Sequence, residues 1–177
     1  VALDALPLTP NGTVDRAASD GLLSELDEYA VEQALQLAED GDDVEVVVMT
    51  LGPDDAADAI KRALQMGASA GIHIVDDAVH GSDALATSAL LAEAIKRATP
   101  DLVICGMAST DGTMGVIPAM VAERLGWPAV TLGATLSVAD NRVTIRRDDD
   151  VASSTIEAEL PAIVSVTDQS GEARYPS

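Results

Sequence analysis

Residues 101–115 read DLVICGMASTDGTMG. Leu102 to Cys105 is a short apolar run, and the next ten residues, Gly106 to Gly115, contain nothing larger than methionine. An apolar, helix-like stretch follows from Val116 to Leu125. A buried strand, a small-residue loop and a helix make one unit of a parallel α/β sheet. Glycine at 106, 112 and 115 leaves two options for the loop: a loose turn, or a backbone that must pass close to something.

The same alternation extends in both directions. Val1 to Leu3 reads as the end of a strand, and Pro7 to Asp20 as a loop. Ser24 to Glu39 reads as a helix capped by Ser24, with Asp27 three residues on as in a capping box. Leu26, Ala30, Ala34, Leu37 and Ala38 form its apolar face. Val44 to Leu51 suits a strand covered on both sides. Helices are expected over Asp54 to Met66 and from Ser82 or Asp83 to Arg97, with a strand over Gly71 to Val75 between them. The helix after the loop is expected to begin near Thr113 or Met114 and to stop at Gly126. Beyond the short extended run Ala129 to Leu132, three alternating runs predict an antiparallel ribbon with one wet face: Ala134 to Val138, Arg142 to Arg147 and Ser154 to Glu159. Ala162 to Thr167 is a last apolar strand. The fold class is therefore α/β, a Rossmann-like and mostly parallel sheet with helices on both faces, plus the ribbon near 134–159. A chain of 177 residues fits one domain.

Thirty acidic residues against ten basic give a net charge of −20. That excludes nucleic acid, whose phosphates require Lys and Arg, and disfavours anionic membranes. Such acidity is also a solubility device in concentrated salt, so a high-salt interior is expected. No apolar run is long enough to span a bilayer. A single cysteine, Cys105, precludes an internal disulfide, and no leader is visible, so a cytoplasmic location is expected. The chain opens at Val1 without methionine, so residues are expected to precede it. The doublets Asp42-Asp43, Asp54-Asp55 and Asp76-Asp77 and the triplet Asp148 to Asp150 adjoin Gly, Pro or strand ends and read as surface turns, not metal sites.

In parallel sheets, ligands sit beyond the carboxyl ends of the strands. Three segments fall there: Ala2 to Ala5, Thr50 to Pro53, and Gly106 to Gly115. The third is the strongest. Its glycines permit close approach, Ser109, Thr110 and Thr113 offer hydroxyls, and the helix behind it directs free amides and a positive dipole end at the loop. A phosphate suits that arrangement, although the pattern is neither the P-loop motif nor GxGxxG. Asp111 caps the helix or takes a ribose or amide hydrogen bond. Chemistry is otherwise sparse. His73 lies inside a strand, His80 in a loop, Ser109 lacks a nucleophile-elbow context, and Cys105 behaves as a small hydrophobe. Trp127 reads as a packing anchor at a helix end. These residues describe a nucleotide holder without a nucleophile or an acid–base pair.

Several stretches, in order, resemble one family. They are Asp27 to Leu35 (DEYAVEQAL), Leu64 to Ala68 (LQMGA), Pro100 to Gly106 with Ser109 to Gly112, then Gly126-Trp127-Pro128, and finally Leu160 to Val166 with Glu172 to Ser177. Together they resemble the β subunit of electron transfer flavoprotein over nearly the whole chain. The resemblance implies a heterodimer with an α subunit, an AMP buried in this subunit, and an FAD held mainly by α. It also implies electrons taken from flavin dehydrogenases such as acyl-CoA dehydrogenases, as in fatty acid oxidation, and passed to a membrane quinone reductase. In an electron-bifurcating branch the AMP pocket holds a second FAD. Carried over by position, the nucleotide contacts are Ala2; Ser24, Glu25, Leu26 and Asp27; Leu51; and Gly106, Ser109, Thr110, Asp111, Gly112, Thr113, Met114, Gly115, Val116 and Ile117. Leu26 matches a position near the α-bound flavin that is often aromatic. Met107 and Ala108 stand where the family commonly has basic or amide residues. Arg174 is kept, and the family's lysine-rich recognition loop and C-terminal arm lie past Ser177. Two other readings keep the fold: a stand-alone adenine-nucleotide regulator resembling universal stress proteins, and an enzyme acting on adenylates through Asp111 and the loop hydroxyls.

Overall fold

The computed structural model describes Pro10 and residues 23–41, 43–110 and 112–175. Four helices and eight strands are present among them: α1 (Glu25–Asp40), β1 (Val47–Leu51), α2 (Ala57–Met66), β2 (Ala70–Ile74), α3 (Ala84–Ala98), β3 (Leu102–Gly106), α4 (Ile117–Leu125), β4 (Ala129–Gly133), β5 (Thr135–Ala139), β6 (Arg142–Asp148), β7 (Ser153–Glu159) and β8 (Ala162–Val166). The parallel strands fall into two groups, β1-β2 and β3-β8-β4, and the antiparallel ribbon has the order β5-β6-β7.

The strand at the centre is β8, whose five residues are all buried. It pairs with β3 from Leu102↔Ala162 to Gly106↔Val166 and with β4 on the other side. Its side chains alternate, as a strand's must. Ala162, Val164 and Val166 join the cluster that holds Ala30 of α1 and Val143, Ile145 and Ala158 of the ribbon. Ile163 enters the opposite cluster, with Ala92 and Ile95 of α3 and Val121 and Ala122 of α4. Helices therefore cover both faces. Arg124 ties α4 to α3 by donating from Nε to the fully buried Ser88 hydroxyl at 3.0 Å and from Nη2 to the Leu85 carbonyl at 2.9 Å. Ser165 is buried for a separate reason. Its Oγ accepts from Leu132 N at 3.0 Å, where a bulge in β4 puts Leu132 at φ +65°.

Four boundaries or faces depart from the sequence reading. β1 begins at Val47, not Val44, and Val47 is 44% exposed, so this strand is not covered on both sides in the manner of β8. The Asp54 segment opens with a 3-10 turn over Asp54–Ala56, and α2 proper starts at Ala57. The apolar stripe expected on α1 is widened: Ala30 is buried in one cluster and Ala34 and Ala38 pack against another, while Glu32, Gln33 and Leu35 are buried as well, because the helix lies between two apolar clusters with a polar strap along it. The fourth departure, the start of α4, concerns the loop after β3. The ribbon follows expectation: Val143 and Ile145 are fully buried, and an Asp140-Asn141 turn with both φ positive closes β5 onto β6.

The strap begins where β8 ends. From Thr167 the chain runs along α1, and Gln33 Nε2 donates to the Ser170 carbonyl at 3.0 Å. Arg174 then places a fork on Glu32. Its Nε donates to Oε2 at 2.7 Å, its Nη2 to Oε1 at 2.9 Å, and its backbone N to Oε2 at 3.1 Å. Gln36 Nε2 donates to Oε1 at 2.9 Å, and Arg174 Nη1 reaches Glu39 at 2.6 Å. The Glu32 side chain is only 7% exposed, yet both of its oxygens are satisfied, as a buried carboxylate requires. The Arg174 fork outweighs desolvation and holds the Glu32 carboxyl below its ordinary value.

A pH dependence follows. The group's folded-state value lies below its unfolded one, so its contribution is complete above the ordinary carboxylate range. It disappears as pH falls through the lowered value. Glu32→Gln should cost about 2–3 kcal/mol at neutral pH, in line with loss of one partner of a buried ion pair. The gap between wild type and variant in denaturant titrations should narrow as pH is lowered below the usual glutamate range. A gap that stayed constant through that range would contradict this account.

Candidate functional site

The strand β3 ends in Gly106, which is buried against the first turn of α1. A Cβ there would stand 2.7 Å from Asp27 Oδ1 and 2.8 Å from the Leu26 carbonyl oxygen. Only glycine admits that approach, and one of the two obstacles is backbone, which cannot rotate away. The helix is fixed from the other side by Ser24, whose Oγ accepts from Leu26 N at 3.3 Å while its carbonyl accepts from Asp27 N at 2.9 Å. Leu26 and Asp27 are thereby brought against Gly106, with Ser24 capping the same turn and Glu25 exposed on it. Leu51 ends β1, two residues past Met49, which packs in the cluster containing Cys105. Ala2 and Asp111, both expected to contact the ligand, lie outside the described residues.

From Gly106 the loop turns back on itself. Thr113 N donates to the Ser109 carbonyl at 3.0 Å, and Gly112 N donates to Ser109 Oγ at 3.1 Å. A Cβ on Gly112 would lie 2.9 Å from that hydroxyl oxygen. Thr113 has φ +55° and Gly115 φ +63°, and a Cβ on Gly115 would stand 3.1 Å from the Met107 carbonyl. Two left-handed residues cannot belong to a right-handed helix. α4 therefore starts at Ile117 and not near Thr113 or Met114, with Val116 as its N-cap and Pro118 in its first turn. Ser109, Thr110, Gly112, Thr113, Met114 and Gly115 are all exposed, Met114 to 70%, and Val116 and Ile117 are half-buried.

Two helix N-termini thus meet the loop, and they differ in charge. α1 carries Glu25, Asp27 and Glu28 in its first turn. α4 carries no acidic residue in its first turn and no capping side chain. An anion is repelled by the first and favoured by the amides of the second. The carboxylates of the first turn suit hydroxyl or amino donors. A phosphate at α4 and a sugar or base toward α1 is the one orientation that satisfies both ends. No lysine or arginine occurs between Gly106 and Ile117, so backbone amides and hydroxyls are the loop's own means of holding a phosphate. A separate hollow of about 310 Å³ beside the start of α1 is lined by Leu23, Glu25, Glu28 and Arg62. Among the described residues its one cation, Arg62, is bound to Glu28 at 2.8 Å.

The remaining candidates take structural places. His73 Nε2 lies 3.1 Å from the Gly52 carbonyl and secures the turn after β1, and His80 is exposed in its loop. Burial, reinforced by the nearby Asp27 carboxylate, pushes the Cys105 thiol up to about 12, so it is protonated and unreactive. Trp127 packs on the α3–α4 cluster after Gly126 ends α4 at φ +68°. Among the aspartate runs, Asp76 caps a turn through Ala78 N, and Asp149 accepts from Val151 N and Ala152 N. Among the described residues, no group of three His, Cys, Asp or Glu could hold a metal ion. No helix among them is long and apolar enough to cross a membrane. Sequence reasoning did not single out Glu32. The signal available was an acidic residue among apolar ones in DEYAVEQAL, together with Arg174.

The family model of the electron transfer flavoprotein domain matches residues 11–176. The β subunit of electron transfer flavoprotein from Mycobacterium leprae is 46% identical over 170 residues, covering 93% of this chain and 64% of the relative. The β subunit from Syntrophomonas wolfei is 37% identical, covering 94% of this chain and 66% of the relative. A subunit of the caffeyl-CoA reductase-Etf complex of Acetobacterium woodii is 32% identical over 94% of this chain. The chain thus spans about two thirds of the length of these relatives, 64% of the first. It belongs to the electron transfer flavoprotein domain family, in which the relatives from Mycobacterium leprae and Syntrophomonas wolfei are β subunits.

Proposed function

We propose that this chain is the adenine-nucleotide-binding part of an electron transfer flavoprotein β subunit, folded as a single α/β domain over residues 1–177. Its ligand is AMP. The α4 end of the loop holds the phosphate through backbone amides and the hydroxyls of Ser109, Thr110 and Thr113. The first turn of α1, with Asp27, takes the nucleoside, and Leu51 closes the rim. The observation that carries this is the closure of Gly106 on α1, which leaves one acidic and one neutral helix end flanking a loop built of small residues.

The larger assembly follows from the family. An α subunit pairs with this chain and holds the FAD, which supplies the electron-accepting and electron-donating chemistry when bound. Flavin dehydrogenases such as acyl-CoA dehydrogenases deliver electrons, a membrane quinone reductase removes them, and the pair works in the cytoplasm. The chain itself is a carrier subunit and not an enzyme. Its side chains hold, orient and screen the nucleotide, and no nucleophile or acid–base pair adjoins the loop among the described residues.

Identification of the small molecules released on denaturing the full-length protein, purified with its α subunit, tests the reading. One FAD and one AMP per heterodimer is the expected result. Two FAD would replace AMP with a second flavin, as in the electron-bifurcating branch. An adenine nucleotide without flavin or partner would leave a stand-alone regulator and overturn the carrier reading.

Two further measurements probe the loop. Gly112→Val drives a side chain onto Ser109 Oγ, and it should weaken AMP binding by about tenfold or more while the far-UV circular dichroism stays unchanged. Unaltered AMP occupancy in the variant would remove the loop from the site. Because the loop has no cation and the chain carries −20, AMP affinity should rise, not fall, between about 0.1 and 1 M KCl as repulsion is screened. A falling affinity would place a basic group at the phosphate. The rise would also accord with a protein adapted to concentrated salt.

A further inference from the structure

The strap after β8 and the nucleotide loop leave the sheet side by side, since Gly106 and Val166 are register partners. Both then engage α1, but at different levels. Gly106 meets the first turn, at Leu26 and Asp27, and Arg174 meets the helix further along, at Glu32 and Glu39. The first contact is a close backbone approach without slack, so it acts as a pivot. Apolar clusters flank the helix on two sides, and the Arg62–Glu28 pair and the Gln33 bond to the Ser170 carbonyl each add one polar tie. The Arg174 fork is the densest directional tie, with three donors on one carboxylate and a fourth on its neighbour. It contributes most to the angle at which the first turn of α1 stands over Gly106.

We infer that Arg174 is a positioning residue for the nucleotide cradle, acting through Glu32 to set α1 against the loop without touching the ligand. The inference rests on the AMP reading above. A rigid backbone contact at one end of a helix and a planar ionic fork at the other make a lever with a fixed arm. Loss of the fork lets the helix turn about the Gly106 contact, which tilts Ser24 to Asp27 over the loop. Lysine cannot replace the arginine, because a point charge on a flexible stem does not make the fork.

The test uses the full-length protein with its α subunit, and AMP as the probe. Calorimetric titration is made well below the unfolding temperature, on Glu32→Gln, Arg174→Lys and the double variant. Each single variant should bind AMP about tenfold more weakly while remaining folded. The double variant should be no worse than either single one, since both remove the same tether. Val143→Ala, in the buried side of the ribbon, serves as a control that lowers stability without touching the strap; its AMP affinity should match wild type. Folded Glu32→Gln and Arg174→Lys with wild-type affinity would reduce the fork to a staple and overturn the inference alone. An equal loss in Val143→Ala would overturn it too, by showing that affinity merely follows stability. Wild-type protein that takes up no AMP would overturn the cradle reading, and this inference with it.

Discussion

The structure turns on one forbidden atom. Where β3 leaves the sheet, no Cβ fits between Gly106 and the Leu26 carbonyl, and that absence lets a helix end, a strand end and a loop share one point. The rest is arranged to hold this contact. β8 lies next to β3, buried along its whole length, and presents one face to α1 and the ribbon and the other to α3 and α4. The sheet is thus stiff where the contact is made. A close backbone approach tolerates little movement, and a stiff sheet is what keeps it in place.

Charge is handled with similar economy. Most of the described cations have fixed duties: Arg62 on Glu28, Arg124 on α3, Arg142 between Glu157 and Glu159, Arg147 on the Thr131 carbonyl, and Arg174 on Glu32 and Glu39. Many carboxylates work locally as caps, among them Asp76, Asp83 and Asp149. The acidic excess is therefore mostly a property of the solvated surface. Among the described residues it reaches the candidate site at the first turn of α1, where it gives the site a polarity that backbone geometry alone would not.

Much of this was legible in the sequence because short-range rules govern it. Apolar runs bounded by Gly and Pro located nearly every strand, and Ser24, Asp83, Gly67 and Gly126 marked helix ends that the structure confirms. The parts misread are those decided by tertiary contact or hidden backbone conformation. Thr113 has no sequence signature of a positive φ, so α4 was expected a turn too early. The burial of Glu32 beside the stripe on α1 was missed because it depends on a partner 142 residues away. The glycines of the loop announced a close approach, but not that α1 is what approaches. Residue chemistry alone led to a phosphate-holding loop; the order of several modest motifs led to the family.

Cys105 has a practical bearing. It is the only sulfhydryl in the chain, it is packed between β3 and the α3–α4 layer, and its proton is held far above the range in which thiols are alkylated. Within residues 1–177, thiol-directed dyes and spin labels therefore meet a quiet background. A cysteine introduced at exposed Met114, at the tip of the loop, would be the one accessible thiol of this stretch, so the loop can be labelled there without altering Cys105.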